Sequence, residues 1–244
     1  FHSLSKCSVN LYEVIKDSDM MISDECHHAS SYTMFKSFLD IRPKFVYGFS
    51  GTPFKGKETF DSFDDTLVMS LFGQLMVSVP TSYLISEGYL AQPIVLMKQA
   101  SPFGKFFNVS YNAVYTQQIV NNEKRNGFIS FYSRLFKKEG MKTLILVQRI
   151  KHAELLMNLM KGLNVLAISG GNTGKMINKE TGLIDEFSCD YESAWDGLEK
   201  GVYDVVIATV VADEGVDIPS VGALIIAGGG KSVVKIHQRK FIGY

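Results

Sequence analysis

Short apolar runs alternate with helix-like segments along this chain. Residues 143–147 (Thr143-Leu144-Ile145-Leu146-Val147), bounded by Gly140, are apolar or β-branched throughout and predict a strand. Residues 165–168, which stop at Gly170-Gly171, and residues 205–208 and 223–226 predict three more. Met20-Met21-Ile22 and Phe45-Val46-Tyr47 are shorter runs of the same kind. Continuous rather than alternating apolarity predicts strands buried on both faces, as in parallel sheets. Between the runs, Ala153, Leu156, Leu159 and Met160 recur at helical spacing over residues 151–161, with Gly162 placed to cap the end. Residues 191–200 predict a second helix, closed by Gly201. Strands alternating with helices predict βαβ units in a doubly wound α/β architecture.

The stretch Lys98-Gln99-Ala100-Ser101-Pro102-Phe103-Gly104-Lys105 is polar, carries Pro and Gly, and lacks periodicity. It predicts a boundary: a first domain over residues 1–98, a linker over 99–110 and a second domain over 111–244. The chain has 244 residues, 46% of them hydrophobic, which suffices for such cores. Lys plus Arg and Asp plus Glu are 25 each, so any basic surface for nucleic acid must be local. The three cysteines, Cys7, Cys26 and Cys189, are widely spaced and form no Cys-x-x-Cys pair. That argues against a disulfide framework or structural zinc and for a reducing, cytoplasmic compartment. No apolar run approaches the roughly 18 residues a membrane helix needs, and no membrane partner is expected.

Asp24-Glu25-Cys26-His27 follows the first apolar run. Polar residues at the C-terminal end of a parallel strand sit where α/β ligand sites form. Adjacent carboxylates there suit metal-assisted phosphoryl chemistry: Asp24 to hold Mg²⁺ and Glu25 to orient and deprotonate an attacking water. A solvated strand end is the plain alternative, and a metal-dependent hydrolase using Asp24 to His28, with zinc on Cys26, His27 and His28, is another. Ser50-Gly51-Thr52-Pro53 follows the next run. Residues 209–217, Thr209-Val210-Val211-Ala212-Asp213-Glu214-Gly215-Val216-Asp217, follow a later strand, and His237-Gln238-Arg239 come near the end.

In this order the residues resemble superfamily 2 helicases and translocases. They are most similar to the branch holding restriction-enzyme motor subunits and phage-type DNA helicases. Asp24 to His27 resembles motif II of the Asp-Glu-x-His type, and Ser50 to Thr52 resembles motif III. Thr143 to Gln148 resembles motif IV, Thr209 to Asp217 motif V, and Gln238-Arg239 the start of motif VI. The resemblance implies two RecA-like doubly wound parallel-sheet domains that use ATP and Mg²⁺ in the cleft between them. It implies that Asp24 and Glu25 serve Mg²⁺ and water, and that His27, Ser50 and Thr52 couple the nucleotide to domain movement. Thr209 would contact a nucleic-acid backbone without reading sequence, DNA being the expected partner rather than RNA. Gly215, Asp217 and Gln238 would face the nucleotide, and Arg239 would approach its phosphates.

Two departures qualify this. No Gly-x-x-x-x-Gly-Lys-Ser/Thr loop is present to cradle phosphates. Gly230-Lys231-Ser232 has Ile225 where the first Gly should stand, and Gly170 to Lys175 is one residue short and followed by Met176. Both stretches therefore predict strand-to-helix turns. After Gln238-Arg239 the chain reads Lys240-Phe241-Ile242-Gly243-Tyr244, with Tyr244 where an arginine is expected. The expectation is a piece of a larger motor, its first domain incomplete at the N-terminus and its second cut within the last motif, and inactive as an ATPase alone. A degenerate α/β module that only binds nucleic acid is the remaining alternative.

Overall fold

The computed structural model describes residues 15–54, 62–100, 109–170, 173–178, 181–209 and 221–229. The chain divides into two compact units, Phe1–Leu84 and Ile85–Tyr244. Of the linker expected over residues 99–110, residues 101–108 fall outside the described residues.

In the first unit, β1 (Met20–Ser23) and β2 (Phe45–Gly48) pair in parallel, with Met20 opposite Phe45 and Ser23 opposite Gly48. Helix α1 (Tyr32–Ile41) carries the chain from one to the other, and α2 (Phe63–Phe72) packs beside a 3-10 helix at Cys26–Ser30. Ser62 starts α2 by accepting the Asp65 N–H at 3.1 Å, and Asp64 and Asp65 favour the positive end of the helix. Rings of Phe38 and Phe72 meet edge to face at 5.3 Å. The strands depart from expectation: Met20, Ile22, Phe45 and Tyr47 are exposed, not buried on both faces. An apolar run specifies a strand, but the layers that cover it must come from elsewhere. A short helix α3 (Thr81–Ser86) follows.

Among the described residues, the second unit holds a six-stranded sheet in the order β6-β5-β4-β7-β3-β8. Its strands are β3 (Lys142–Leu146), β4 (Val165–Ser169), β5 (Thr173–Ile177), β6 (Ile184–Ser188), β7 (Val205–Ala208) and β8 (Val221–Ile226). The four apolar strands β4, β7, β3 and β8 are parallel. Their alternate residues face opposite layers. Leu144, Leu146, Leu166, Ile168 and Val206 pack on α7 (Tyr191–Glu199) through Ala194 and Leu198. Ile145, Val165, Ala167, Val205 and Ile207 pack with Ile129 of α5 (Glu123–Lys138) and Leu156 and Met157 of α6 (Ile150–Leu159). A sheet with helices on both faces is the doubly wound arrangement the alternation predicts. Burial of these side chains, about 1.5–3 kcal/mol each, makes this layer the main stabiliser of the unit.

One element differs from the expectation. Gly170 to Lys175 does not turn from strand to helix: β4 turns back antiparallel into β5, and β5 into β6, so the sheet is mixed. Lys175 of β5 is held by Glu154 of α6 at 2.8 Å and Glu186 of β6 at 2.5 Å, and these partners raise its pKa. The 230–232 stretch lies outside the described residues.

Candidate functional site

In the first unit, a polar cluster is built where β1 and β2 end. Beyond the paired register, the Phe49 N–H donates to the Ser23 carbonyl at 2.8 Å and the Cys26 N–H donates to the Phe49 carbonyl at 3.0 Å. These bonds draw the Asp24-Glu25 turn against the Ser50-Gly51-Thr52 turn. Gly48 makes the approach possible, since a Cβ there would sit 2.9 Å from Cys26 Cβ, Cys26 Sγ and the Phe72 ring.

Asp24 is exposed, and its Oδ1 accepts the Glu25 N–H at 2.8 Å. Glu25 occupies the left-handed region (φ 48, ψ 46), a conformation that costs a side-chain-bearing residue about 1–3 kcal/mol and recurs at functional positions. His27 is buried, and its Nδ1 lies 2.9 Å from Ser50 Oγ and 3.2 Å from Glu25 Oε2. A carboxylate only accepts, so the Nδ1–H tautomer is the one that suits both neighbours. Ser50 Oγ also accepts the Thr52 N–H at 3.1 Å. Asp24, Glu25, His27, Ser50 and Thr52 therefore form one local cluster. One exposed carboxylate beside a second suits Mg²⁺, which takes one or two carboxylates together with water and phosphate oxygens. Zinc needs a converging set of donors. Among the described residues no three His, Cys, Asp or Glu side chains form such a set: Cys26 and His27 point inward and His28 outward.

In the second unit, Thr209 lies at the C-terminal end of β7. Thr209 directly follows β7, and its N–H donates to the Ile168 carbonyl at 3.2 Å. The half-buried Tyr191 phenol lies beside it, and burial pushes that phenol up. Gly215, Asp217, Gln238 and Arg239 lie outside the described residues.

A polar network that sequence reasoning missed surrounds the end of β8. The Arg125 guanidinium on α5 donates to the carbonyls of Ala227 at 2.9 Å and Gly228 at 3.4 Å. Gln148 donates to the Gly229 carbonyl at 2.5 Å, and the Gly229 N–H donates to the Tyr115 hydroxyl at 3.1 Å. Tyr115 ends α4 (Tyr111–Tyr115), which continues as a π-helix over Thr116–Val120. Arg149 stacks on the Tyr115 ring at 4.6 Å and donates to Asn112 Oδ1 at 3.1 Å. Behind Arg125, Asn126 donates through Nδ2 to the Val120 carbonyl at 2.7 Å, so its Oδ1 faces His152 Nε2 at 2.9 Å as an acceptor. His152 is therefore the Nε2–H tautomer, neutral and fully buried; burial, then the nearby Arg125 charge, lowers its pKa to about 4. The signal available in the sequence was Asn126 and Ser133 sharing the inward face of α5 with Ile129, behind Asn122 at its N-cap.

With this geometry in place, the likenesses to known proteins become informative. Residues 124–240 match the helicase conserved C-terminal domain family. A protein carrying the name helicase 22, from Sulfolobus islandicus filamentous virus (isolate Iceland/Hveragerdi), is 24% identical over 249 residues, 94% of this chain and 40% of that protein. The chain thus spans two fifths of that relative's length. Among solved structures, a fragment of an HsdR-type subunit of a type I restriction enzyme from Vibrio vulnificus YJ016 matches at TM-score 0.63 with 15% identity, over 98% of this chain and 43% of that one. S. cerevisiae Dbp5 bound to RNA and ADP BeF3 matches at 0.53 with 13% identity, over 96% and 53%. The fold is the RecA-like α/β fold of these helicase structures. Among the described residues no helix is long and apolar enough to cross a membrane.

Proposed function

We propose that this chain is the motor part of a superfamily 2 helicase or translocase that couples ATP hydrolysis to movement on nucleic acid. The observation that carries the reading is the His27–Ser50 bond, which ties the turn holding two candidate catalytic carboxylates to a second polar turn. The family match and the RecA-like fold support it.

In this reading Asp24 takes Mg²⁺ with the nucleotide. When bound, the ion neutralises phosphate charge and leaves the γ-phosphoryl open to attack. Glu25 accepts the proton of the attacking water on a carboxylate oxygen. Its orientation is set by two constraints, the left-handed backbone and the His27 Nδ1–H at 3.2 Å. His27 shares that proton with Ser50, so a shift of the Ser50-Thr52 turn is felt at Glu25. Thr209 donates its hydroxyl to a phosphate oxygen of the nucleic acid, a contact that positions without reading sequence. Gly215, Asp217 and Gln238 serve the nucleotide, and Arg239 serves its phosphates.

The test is phosphate release by the full-length protein without nucleic acid, with DNA and with RNA. Stimulation by DNA supports the reading, with DNA as the partner. Stimulation by RNA alone replaces the partner. A rate that neither changes overturns the motor.

A further inference from the structure

Helix α5 exposes what a surface helix ordinarily buries. Its inward residues are Asn126, Ile129 and Ser133, two of them polar. On the opposite side stand Phe128, Phe131 and Leu135, 42%, 61% and 38% exposed. They recur at i, i+3 and i+7, so they form one line along the helix. The inward side is satisfied without them. Asn126 bonds the Val120 carbonyl and His152, and the Ser133 hydroxyl donates to the Ile129 carbonyl at 2.8 Å. Three large apolar side chains in a row on the outer face mark a surface that is covered when the protein works.

Neighbouring groups widen the line. Tyr132 meets Phe131 edge to face at 5.3 Å and lies 5.9 Å from Phe136. Lys98 Nζ sits over the Tyr132 ring at 5.6 Å. Lys124 and Lys138 stand at the two ends of the line, exposed and, among the described residues, without an ion pair. At the helical rise they are about 21 Å apart. An aromatic, apolar centre with a charged rim is the anatomy of a protein interface.

The charges decide what covers it. A second copy laid antiparallel would set Lys124 against Lys138, and laid parallel would set each lysine against its own kind; like charges facing one another disfavour both. A nucleic-acid strand is held by cations that track its backbone. Here the other outward cations are engaged, Arg134 with the Leu159 and Lys161 carbonyls and Lys137 with Asp204. The middle of the line is left apolar. We propose that the outer face of α5 docks an amphipathic helix of a separate protein, with aliphatic residues along one side and a carboxylate at each end. The aliphatic groups pack on Phe128, Phe131 and Leu135, and the carboxylates pair with Lys124 and Lys138. The inference is independent of the motor reading above.

The experiment uses the full-length protein and fluorescent, lactam-bridged helical peptides with leucines at i, i+3 and i+7 and either glutamates or lysines at both ends. Binding is read by anisotropy. The acidic-ended peptide should bind, and the lysine-ended one about tenfold more weakly. Phe131→Ser should weaken the acidic-ended peptide by about tenfold or more, the scale of losing a central aromatic anchor. Lys124→Glu combined with Lys138→Glu should reverse the preference between the peptides, which a merely sticky surface would not do. Melting temperatures should match the parent in each variant, because the substituted groups face solvent. Failure of the acidic-ended peptide to bind, or a preference that does not follow the charges, overturns the proposal. A lower melting temperature in Phe131→Ser also overturns it, by showing that this protein's own chain covers the face. Dimers in sedimentation that Phe131→Ser separates would give the face to a second copy, and displacement of the peptide by a single-stranded oligonucleotide would give it to nucleic acid; either result overturns the separate protein.

Discussion

His27 and Ser50 stand 23 residues apart in the chain and meet at 2.9 Å, nitrogen to hydroxyl, just beyond the paired ends of β1 and β2. The same His27 nitrogen lies 3.2 Å from the Glu25 carboxylate. One proton thus faces two turns, and any displacement of one turn changes what the other sees.

Ser50→Ala removes this link while leaving Glu25 and Asp24 in place. In the full-length protein the ratio of strands displaced to ATP hydrolysed should fall by about fivefold or more, the scale of a 1 kcal/mol coupling. ATP affinity should change little. The check is strand displacement and phosphate release measured on one sample; an unchanged ratio would remove Ser50 from the coupling.

Gly48→Ala tests the packing beneath the turn. Its Cβ would meet Cys26 and Phe72 at 2.9 Å, closer than carbon atoms pack. The expected loss is about 1–3 kcal/mol, the cost of overpacking a filled site, read as a lower denaturant midpoint for the first unit. Because Cys26 adjoins Glu25, turnover should drop as well. A variant with unchanged midpoint and rate contradicts the close approach described at Gly48.

His152 makes the second unit sensitive to acid. Its pKa is lowered from 6.5 to about 4, so the folded state resists a proton that the unfolded chain accepts. Stability is full above about pH 6.5, falls as pH drops towards about 4, and is not further reduced by this group below that. The loss across the window approaches roughly 3 kcal/mol. His152→Phe should flatten that part of the stability profile, measured by denaturant unfolding between pH 7 and pH 4. An equally steep profile in the variant would assign the dependence to other groups.

Nucleic-acid binding should follow backbone contacts. Affinity should be nearly equal for a sequence and its scrambled form, and should decline linearly in log–log terms with salt as counterions compete. Thr209→Val should weaken all sequences alike. A strong preference for one sequence contradicts this role for Thr209.

The four parallel strands of the second unit were legible because each contains an apolar run, and residues 165–168 and 205–208 lie wholly within observed strands. Strands β5 and β6 were not. Thr173-Gly174-Lys175-Met176-Ile177 and Ile184-Asp185-Glu186-Phe187-Ser188 mix polar and apolar residues. Their pairing is secured by the antiparallel turn and by Lys175 meeting Glu154 and Glu186, which local pattern does not carry. Runs at β1 and β2 specified strands correctly but not their exposure, since a run is silent about its neighbours. At the site, the sequence supplied Asp24, Glu25, His27 and Ser50 as motif residues, whereas the shared His27 proton emerged only from the strand register. The polar network at the end of β8 was hidden because Arg125 and Asn126 read as an ordinary polar stretch of helix until β8 is placed beside them.

The central claim is that Glu25 activates the water that attacks ATP. The direct measurement is nucleic-acid-stimulated phosphate release by the full-length protein, unsubstituted and with Glu25→Gln, alongside binding of a fluorescent ATP analogue. Nucleotide binding should stay within about twofold of the parent and turnover should be lower by on the order of 10² or more, the worth of a positioned general base. A Glu25→Gln protein that hydrolyses ATP at the parental rate would contradict it.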